Sequence, residues 1–217
     1  MSKTGTPEKA ELVDAVAERS GREMLLEAAG ELMSELGTID VSLHQIAKRA
    51  GVTAPLVKYH FGSKDGLLLA LAQRDTAQSI RQLTELMAMD IDPASKLRIH
   101  IQGIIRTYSR YPYLNRLLEN FLRESDTDRD GTRSIWSSFM LPLIEAQKQI
   151  ISDGIAAGQF RSVDSKYAYF LINGACQYIF STRITVRELV GETKVGQELA
   201  REYAAFAAET VLRGIAK

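Results

Sequence analysis

SLHQIAKRAGVTAPLVKYHF, residues 42–61, is the stretch on which the reading of this chain turns. Ser42-Leu-His-Gln45 has the form of a capping box, in which a serine hydroxyl and a glutamine amide satisfy backbone N–H groups at a helix start. Leu43, Ile46, Ala47 and Ala50 then recur at helical spacing, and Gly51 supplies a left-handed stop. Thr53 is placed to cap a second short helix. Pro55 is tolerated in its first turn, where backbone N–H groups lack partners in any case. Two short helices joined by a glycine turn make a helix-turn-helix, whose second helix, about Thr53 to Phe61, fits the major groove of DNA.

Charge is arranged to suit that role. The chain carries 27 basic and 27 acidic residues, so no global attraction to nucleic acid exists and any such case is local. Residues 41–64 contain no acid but hold Lys48, Arg49, Lys58 and Lys64, whereas residues 1–40 hold nine acids against four bases. Positive charge concentrated on the one segment with helix-turn-helix spacing is the footprint of phosphate contact.

Outward from this segment the chain reads as all-α. No run shows the sustained alternation of a strand. Residues 1–19 read as a flexible polar arm that brings Lys3, Lys9 and Arg19 as cations. A second capping box, Ser20-Gly-Arg-Glu23, predicts a helix start there, after which Leu25, Ala29, Leu32 and Leu36 repeat at helical spacing and Gly37 can end the helix. Residues 20–66 form the expected DNA-binding domain, and residues 67–217 a larger helical domain. Ser63 is placed to cap a long helix over about 64–89 that links the two. Further helices are expected near 93–110, 113–125, 132–157, 164–188 and 195–214, with a kink or break at Pro142.

The segment IAKRAGVTAPLVKYHFGSKDGLL, residues 46–68, resembles the DNA-binding domain of tetracycline-repressor (TetR) family regulators. That family follows roughly I-A-x-x-A-G-V-S-x-x-x-L-Y-x-H-F-x-S-K-E-x-L, matched here at Ile46, Ala47, Ala50, Gly51, Val52, His60, Phe61, Ser63, Lys64 and Leu67. GIAAGQFRSVD, residues 154–164, is similar to a linker of the family's ligand domain. The family's Leu-Tyr pair is Val57-Lys58 here. The resemblance implies that Lys58 stands where a phosphate-contacting tyrosine is usual, and that Ala54 to Leu56 occupy base-reading positions. Apolar groups there favour thymine methyls over bidentate hydrogen bonds, while a lysine reads phosphate or guanine. The expected DNA contacts are Ser42, His44, Thr53, Ala54, Pro55, Leu56, Lys58, Tyr59, His60 and Lys64. The half-site is short, so a homodimer on a palindromic operator is expected.

In the larger half, Leu97, His100, Ile101, Ile104 and Tyr108 share a helical face. Trp136, Met140, Leu143 and Gln147 share a second, and Phe170, Asn173, Gln177 and Ile184 a third. Leu199, Tyr203, Phe206 and Thr210 line up as a fourth. All four read mostly as core. His100, Tyr108, Trp136, Met140, Phe170, Asn173 and Gln177 are the candidate lining of a small-molecule effector pocket, apolar with a few placed polar groups. Ala168, Gly174, Ala175, Ala200, Ala204, Ala207 and Ala208 make the last two expected helices rich in small residues, which suits close packing, and the family resemblance implies a dimer through them.

The expected function is that of a ligand-responsive transcriptional regulator, most simply a repressor released from its operator by the effector. A helical small-molecule-binding or interaction protein without DNA binding is the alternative. Three histidines, Cys176 and the lack of HExxH, GxSxG or P-loop sequences leave no assembled catalytic or metal-binding set, so no enzyme activity, cofactor or metal is expected. A single cysteine, no signal-like apolar start and no run of about 18 apolar residues fit a cytoplasmic protein without membrane contact.

Overall fold

The computed structural model describes residues 7–123 and 130–217, with side chains described for 21–123 and 131–217. Among the described residues the chain is helical and contains no strand beyond the isolated bridge between Phe160 and Ala216. It divides into two compact units, residues 1–71 and 72–217.

The first unit holds α1 (Pro7–Leu36), α2 (Leu43–Ala50), α3 (Ala54–Phe61) and the start of α4 (Lys64–Ala88). Its core is formed by Leu25, Leu26, Ala29 and Met33 of α1, Ile46 and Ala47 of α2, Val57 of α3, and Leu67, Leu68 and Leu71 of α4. The Ser42 box forms in both directions: Gln45 N–H donates to Ser42 Oγ at 3.2 Å, and Ser42 N–H donates to Gln45 Oε1 at 2.8 Å. Gly51 takes φ 70°, a left-handed conformation costly for residues with a Cβ, and the Val52 N–H closes onto the Ala47 carbonyl at 3.0 Å. Two local expectations need correction. α1 is already helical from Pro7, so the helix does not start at Ser20; the Ser20 hydroxyl and the arm residues Lys3, Lys9 and Arg19 lie outside the described side chains. Thr53 occupies the N-cap position of α3 but its hydroxyl makes no capping bond.

The second unit contains the rest of α4, then α5 (Pro93–Arg110), α6 (Leu114–Leu122), α7 (Asp130–Ile135), α8 (Leu141–Ala156), α9 (Ser165–Ser181), α10 (Arg183–Val190) and α11 (Gln197–Ile215). α7 leads into α8 through a turn of π-helix, Trp136–Met140. Pro142 sits just beyond it and has no N–H to continue the α pattern, which accounts for the expected irregularity at this proline. The expected helix over 164–188 is interrupted at Thr182, whose side chain accepts the Thr185 N–H and restarts the chain as α10. A short side chain that competes for backbone hydrogen bonds terminates one helix and caps the next.

Burial in this unit also departs from the expected faces. On α9 the buried residues are Ala168, Ile172, Asn173, Cys176 and Phe180; on α11 they include Ala200, Ala204, Ala207, Ala208 and Val211. Small residues point inward, where helices approach closely, so Phe170, Ile184 and Phe206 lie on the outside at 73%, 64% and 66% exposure. Inside, Asp75 of α4 is 1% exposed and its carboxylate accepts the Tyr113 hydroxyl at 2.5 Å and the Arg74 guanidinium at 2.8 Å. A buried carboxylate survives only when paired and hydrogen-bonded in this way.

The 154–164 linker depends on close approach. A Cβ on Gly154 would fall 2.0 Å from the Phe160 ring, and Phe160 itself is 3% exposed. The adjoining backbone is held by Arg161 N–H on the Ile215 carbonyl at 2.9 Å and Lys217 N–H on Gln159 at 3.1 Å. Gly154→Ala must therefore displace Phe160 and is expected to destabilise the chain by about 1–3 kcal/mol in urea unfolding, as overpacking does.

Candidate nucleic-acid interface and effector cavity

The exposed side of α3 is the surface a helix-turn-helix presents to DNA. Ala54, Pro55, Lys58 and Tyr59 border one open depression together with Leu43 at the start of α2. Tyr59 is 72% exposed, and Ser42, His44, Thr53, Pro55 and Lys58 are exposed. Leu56 is half-buried while Val57 is fully buried, so the position that keeps an apolar residue in the family pattern is the core contact of α3.

His60 and Lys64 sit differently. The His60 ring lies edge-on to Tyr59 at 5.2 Å and near Phe61, and its Nε2 is 3.4 Å from where a Cβ on Gly21 would stand, so it packs toward α1. Lys64 pairs with Asp40 at 3.0 Å. Sequence reasoning counted Arg49 among the cations facing DNA. Its guanidinium instead holds Glu35 at 2.6 Å and Glu31 at 3.4 Å, tying α2 to α1, and the Arg49 hydrogen bond keeps Glu35 below the usual carboxylate range. Lys48 and Lys58 are exposed and have no acidic partner among the described residues. Glu31 and Glu35, four residues apart on one face of α1, could have signalled the pairing, had the position of α2 been known.

In the second unit a cavity of about 70 Å³ lies between α4, α5 and the π-turn into α8. Its walls are Leu83 and Leu86 of α4, Ile99, Ile104 and Tyr108 of α5, and Phe139 and Leu143. Of the seven expected pocket residues, His100 and Tyr108 line it. Tyr108 accepts a hydrogen bond from Gln177 at 3.2 Å, which connects Gln177 to the cavity wall from behind. Asn173 donates to Gln147 at 3.1 Å and to the Tyr169 carbonyl at 2.9 Å. Met140 is half-buried, and Trp136 and Phe170 are exposed, away from the lining. The α4 residues Ser79, Gln82, Leu83 and Leu86 were missed because helical periodicity alone does not tell which neighbour a face meets.

Among the described residues, three deeply buried side-chain atoms lack partners: His100 Nε2, Gln147 Nε2 and Asn173 Oδ1. Such atoms are rare in folded proteins, and each calls for a reason. Burial lowers the His100 pKa to about 4, so its imidazole is neutral near pH 7. The Cys176 thiol is pushed up to about 12 by burial and is a protonated core group.

A helix-turn-helix head on a separate all-helical unit is the architecture of a DNA-binding regulator. A family model described as bacterial regulatory proteins, tetR family, matches residues 25–71, and one described as tetracyclin repressor-like, C-terminal domain, matches residues 90–217. The chain belongs to the tetR family and is a DNA-binding transcriptional regulator. The HTH-type transcriptional repressor NicS of Pseudomonas putida (KT2440) is 25% identical over 198 residues, 89% of this chain and 92% of that protein. The HTH-type transcriptional regulator BetI of Stenotrophomonas maltophilia (R551-3) is 34% identical over 84 residues, 38% of this chain, and that match spans 42% of BetI's length. Among solved structures, the ketosteroid transcriptional regulator KstR2 of Mycobacterium tuberculosis shares the fold at TM-score 0.73 and 18% identity, covering 90% of this chain and 95% of that one. FadR of Bacillus subtilis, solved with stearoyl-CoA, does so at TM-score 0.68 and 20% identity over 89% and 98%. Among the described residues no helix is long and apolar enough to cross a membrane.

The buried histidine gives a pH signature. Its folded pKa lies below the unfolded value of about 6.5, so between those values the unfolded chain binds a proton that the folded chain refuses, and stability falls as pH drops from about 6.5 toward 4. The His100 contribution is expected to reach about 3 kcal/mol at the acid end. Denaturant unfolding of the wild type and His100→Leu across this range should show a shallower decline for the variant.

Proposed function

We propose that the chain acts in the cytoplasm as a homodimeric repressor that binds a palindromic operator through α3 and is released by a small-molecule effector held in the 70 Å³ cavity. The observation that carries the DNA half is Lys58, a cation without an acidic partner on the exposed side of a helix whose buried side is fixed by Val57. Lys58 contacts phosphate, Tyr59 and His44 flank it, and Ala54 to Leu56 meet thymine methyls. The Ser42 and Ser63 helix starts and Lys64 lie at the phosphate layer, Lys64 exchanging Asp40 for phosphate. His60 supports the reading helix from behind.

The dimer uses the outer faces of α9 and α11. Tyr167, Phe170, Leu171 and Tyr178 form a stripe at helical spacing on α9, 60–76% exposed, and Phe206 stands out from α11. An apolar stripe of this size on a water-exposed surface marks an interaction site, and a second copy supplies a matching one by symmetry.

The effector half rests on α4. Leu83 and Leu86 wall the cavity, and the same helix begins at Lys64 beside α3. A cavity of 70 Å³ is smaller than the roughly 150 Å³ that accommodates benzene in an engineered core, so an effector has to part α4 from α5 and α8. Moving α4 changes the spacing of the two reading helices and lowers operator affinity.

Selection of bound fragments from a random DNA pool, followed by gel shifts over a salt series, tests this reading. A two-fold symmetric site is expected, with half-site centres about one helical turn or a multiple apart. Lys58→Gln should weaken binding and reduce the slope of log K against log salt by about 1 per protomer. Leu56→Ala should shift the base preference of the half-site. Sequence-independent binding, or a Lys58→Gln variant that binds as the wild type does, contradicts the assignment.

A further inference from the structure

The cavity's polar groups are arranged at its two ends. α4 and α5 run antiparallel here: Ser79 bonds Thr107 at 2.8 Å, and Lys96 reaches the Met87 carbonyl at 3.0 Å. At the Ser79–Thr107 end stands Arg106, the single fixed charge among the described residues of the lining, which include no acid. Arg106 is exposed, without an ion-pair partner among the described residues, and its guanidinium folds back over Gly103, Nη2 lying 3.8 Å from where a Cβ would be. At the other end, six residues earlier on α5 and so roughly 9 Å along the helix axis, is His100, 4% exposed with Nε2 unpartnered. Between them the walls are Leu83, Leu86, Ile104, Phe139 and Leu143.

A cation at a mouth, hydrocarbon walls and one unsatisfied imidazole nitrogen at depth define complementary chemistry. Resting on the assignment of this cavity as the effector site, we propose that the effector is a small organic anion with an apolar body. Its acid group sits on Arg106 beside the Ser79 and Thr107 hydroxyls, and a hydrogen-bonding group at its far end reaches His100 Nε2. An arginine fork at the rim takes a carboxylate in two parallel bonds and keeps the charge partly in water, where binding it is not offset by full desolvation. The neutral imidazole donates or accepts according to its tautomer, so it selects for a polar atom without fixing the sign of the partner. A neutral, wholly apolar occupant would leave His100 Nε2 as unsatisfied as before.

The test uses the full chain and a panel of acids, hexanoate, 3-phenylpropanoate and 3-(4-hydroxyphenyl)propanoate, each beside its primary amide. Binding is read by thermal shift and titration calorimetry. At least one acid is expected to bind tenfold or more tightly than its amide, that preference should vanish in Arg106→Gln, and the hydroxyphenyl acid should exceed its parent. Arg106 is exposed, so the variant tests charge and not folding. Amides that bind as well as their acids, acids that bind Arg106→Gln undiminished, or a panel in which no acid binds would each overturn the proposal. The underlying cavity assignment is tested separately by Gly103→Leu, which fills the lining. A neutral compound that binds the wild type and not this variant would keep the cavity as the effector site and overturn the anion alone.

Discussion

The structure depends on α4 being one unbroken helix. Its 25 residues span about 37 Å, and it belongs to both compact units. Leu67, Leu68 and Leu71 are buried in the core of the first unit, while Leu83 and Leu86 are walls of the cavity in the second. The proposed regulation requires that a displacement of its cavity-facing turns reach the turns that follow α3, which hydrogen bonding along a continuous helix favours. Asp75 holds this helix in register with Tyr113 through a buried charge-assisted hydrogen bond. α4 is thereby packed on both sides of the unit boundary, and the regulation proposed above uses that property.

The reading head is built by separating structural charge from available charge. Arg49 serves the fold by pinning α2 to the acids of α1, and Lys64 pairs with Asp40 at a highly exposed site. Exposed pairs contribute little to stability, typically 0–1 kcal/mol, and a phosphate can replace an exposed acid as partner. Lys48 and Lys58 remain as standing cations. The zero net charge of the chain is compatible with DNA binding because long-range attraction is screened within about 8–10 Å in physiological salt, and the local arrangement decides the contact.

Local signals in the sequence were sufficient for the bounds of α2 and α3, though not for the start of α1 or the pairing of Arg49. The Ser42 box, Gly51 and the Pro55 position each act within a few residues, and the helix bounds at 43–50 and 54–61 follow from them. In the second unit the helices were legible but their faces were not. Apolar periodicity placed Phe170 and Phe206 in a core, whereas alanines occupy the close-packed side and the aromatics stand outside. Sequence cannot distinguish a buried face from an exposed one when both are apolar. His100 and Tyr108 were visible as polar or aromatic residues on the α5 face that meets the cavity, but the contribution of α4 depended on a packing partner that no local pattern names. The interruption at Thr182 was missed for a related reason: a single threonine is a weak stop until its hydroxyl is seen to accept the Thr185 N–H.

The central claim is that DNA contact at α3 and the cavity wall on α4 are energetically linked, and linkage between two sites is reciprocal. Hydrogen-exchange mass spectrometry of the full chain, with and without a selected operator fragment, measures it without any knowledge of the effector. The account predicts that operator binding changes protection of the amides over 79–86 as well as those of α3. A change confined to residues 42–71, with exchange over 79–86 the same in both states, would contradict it.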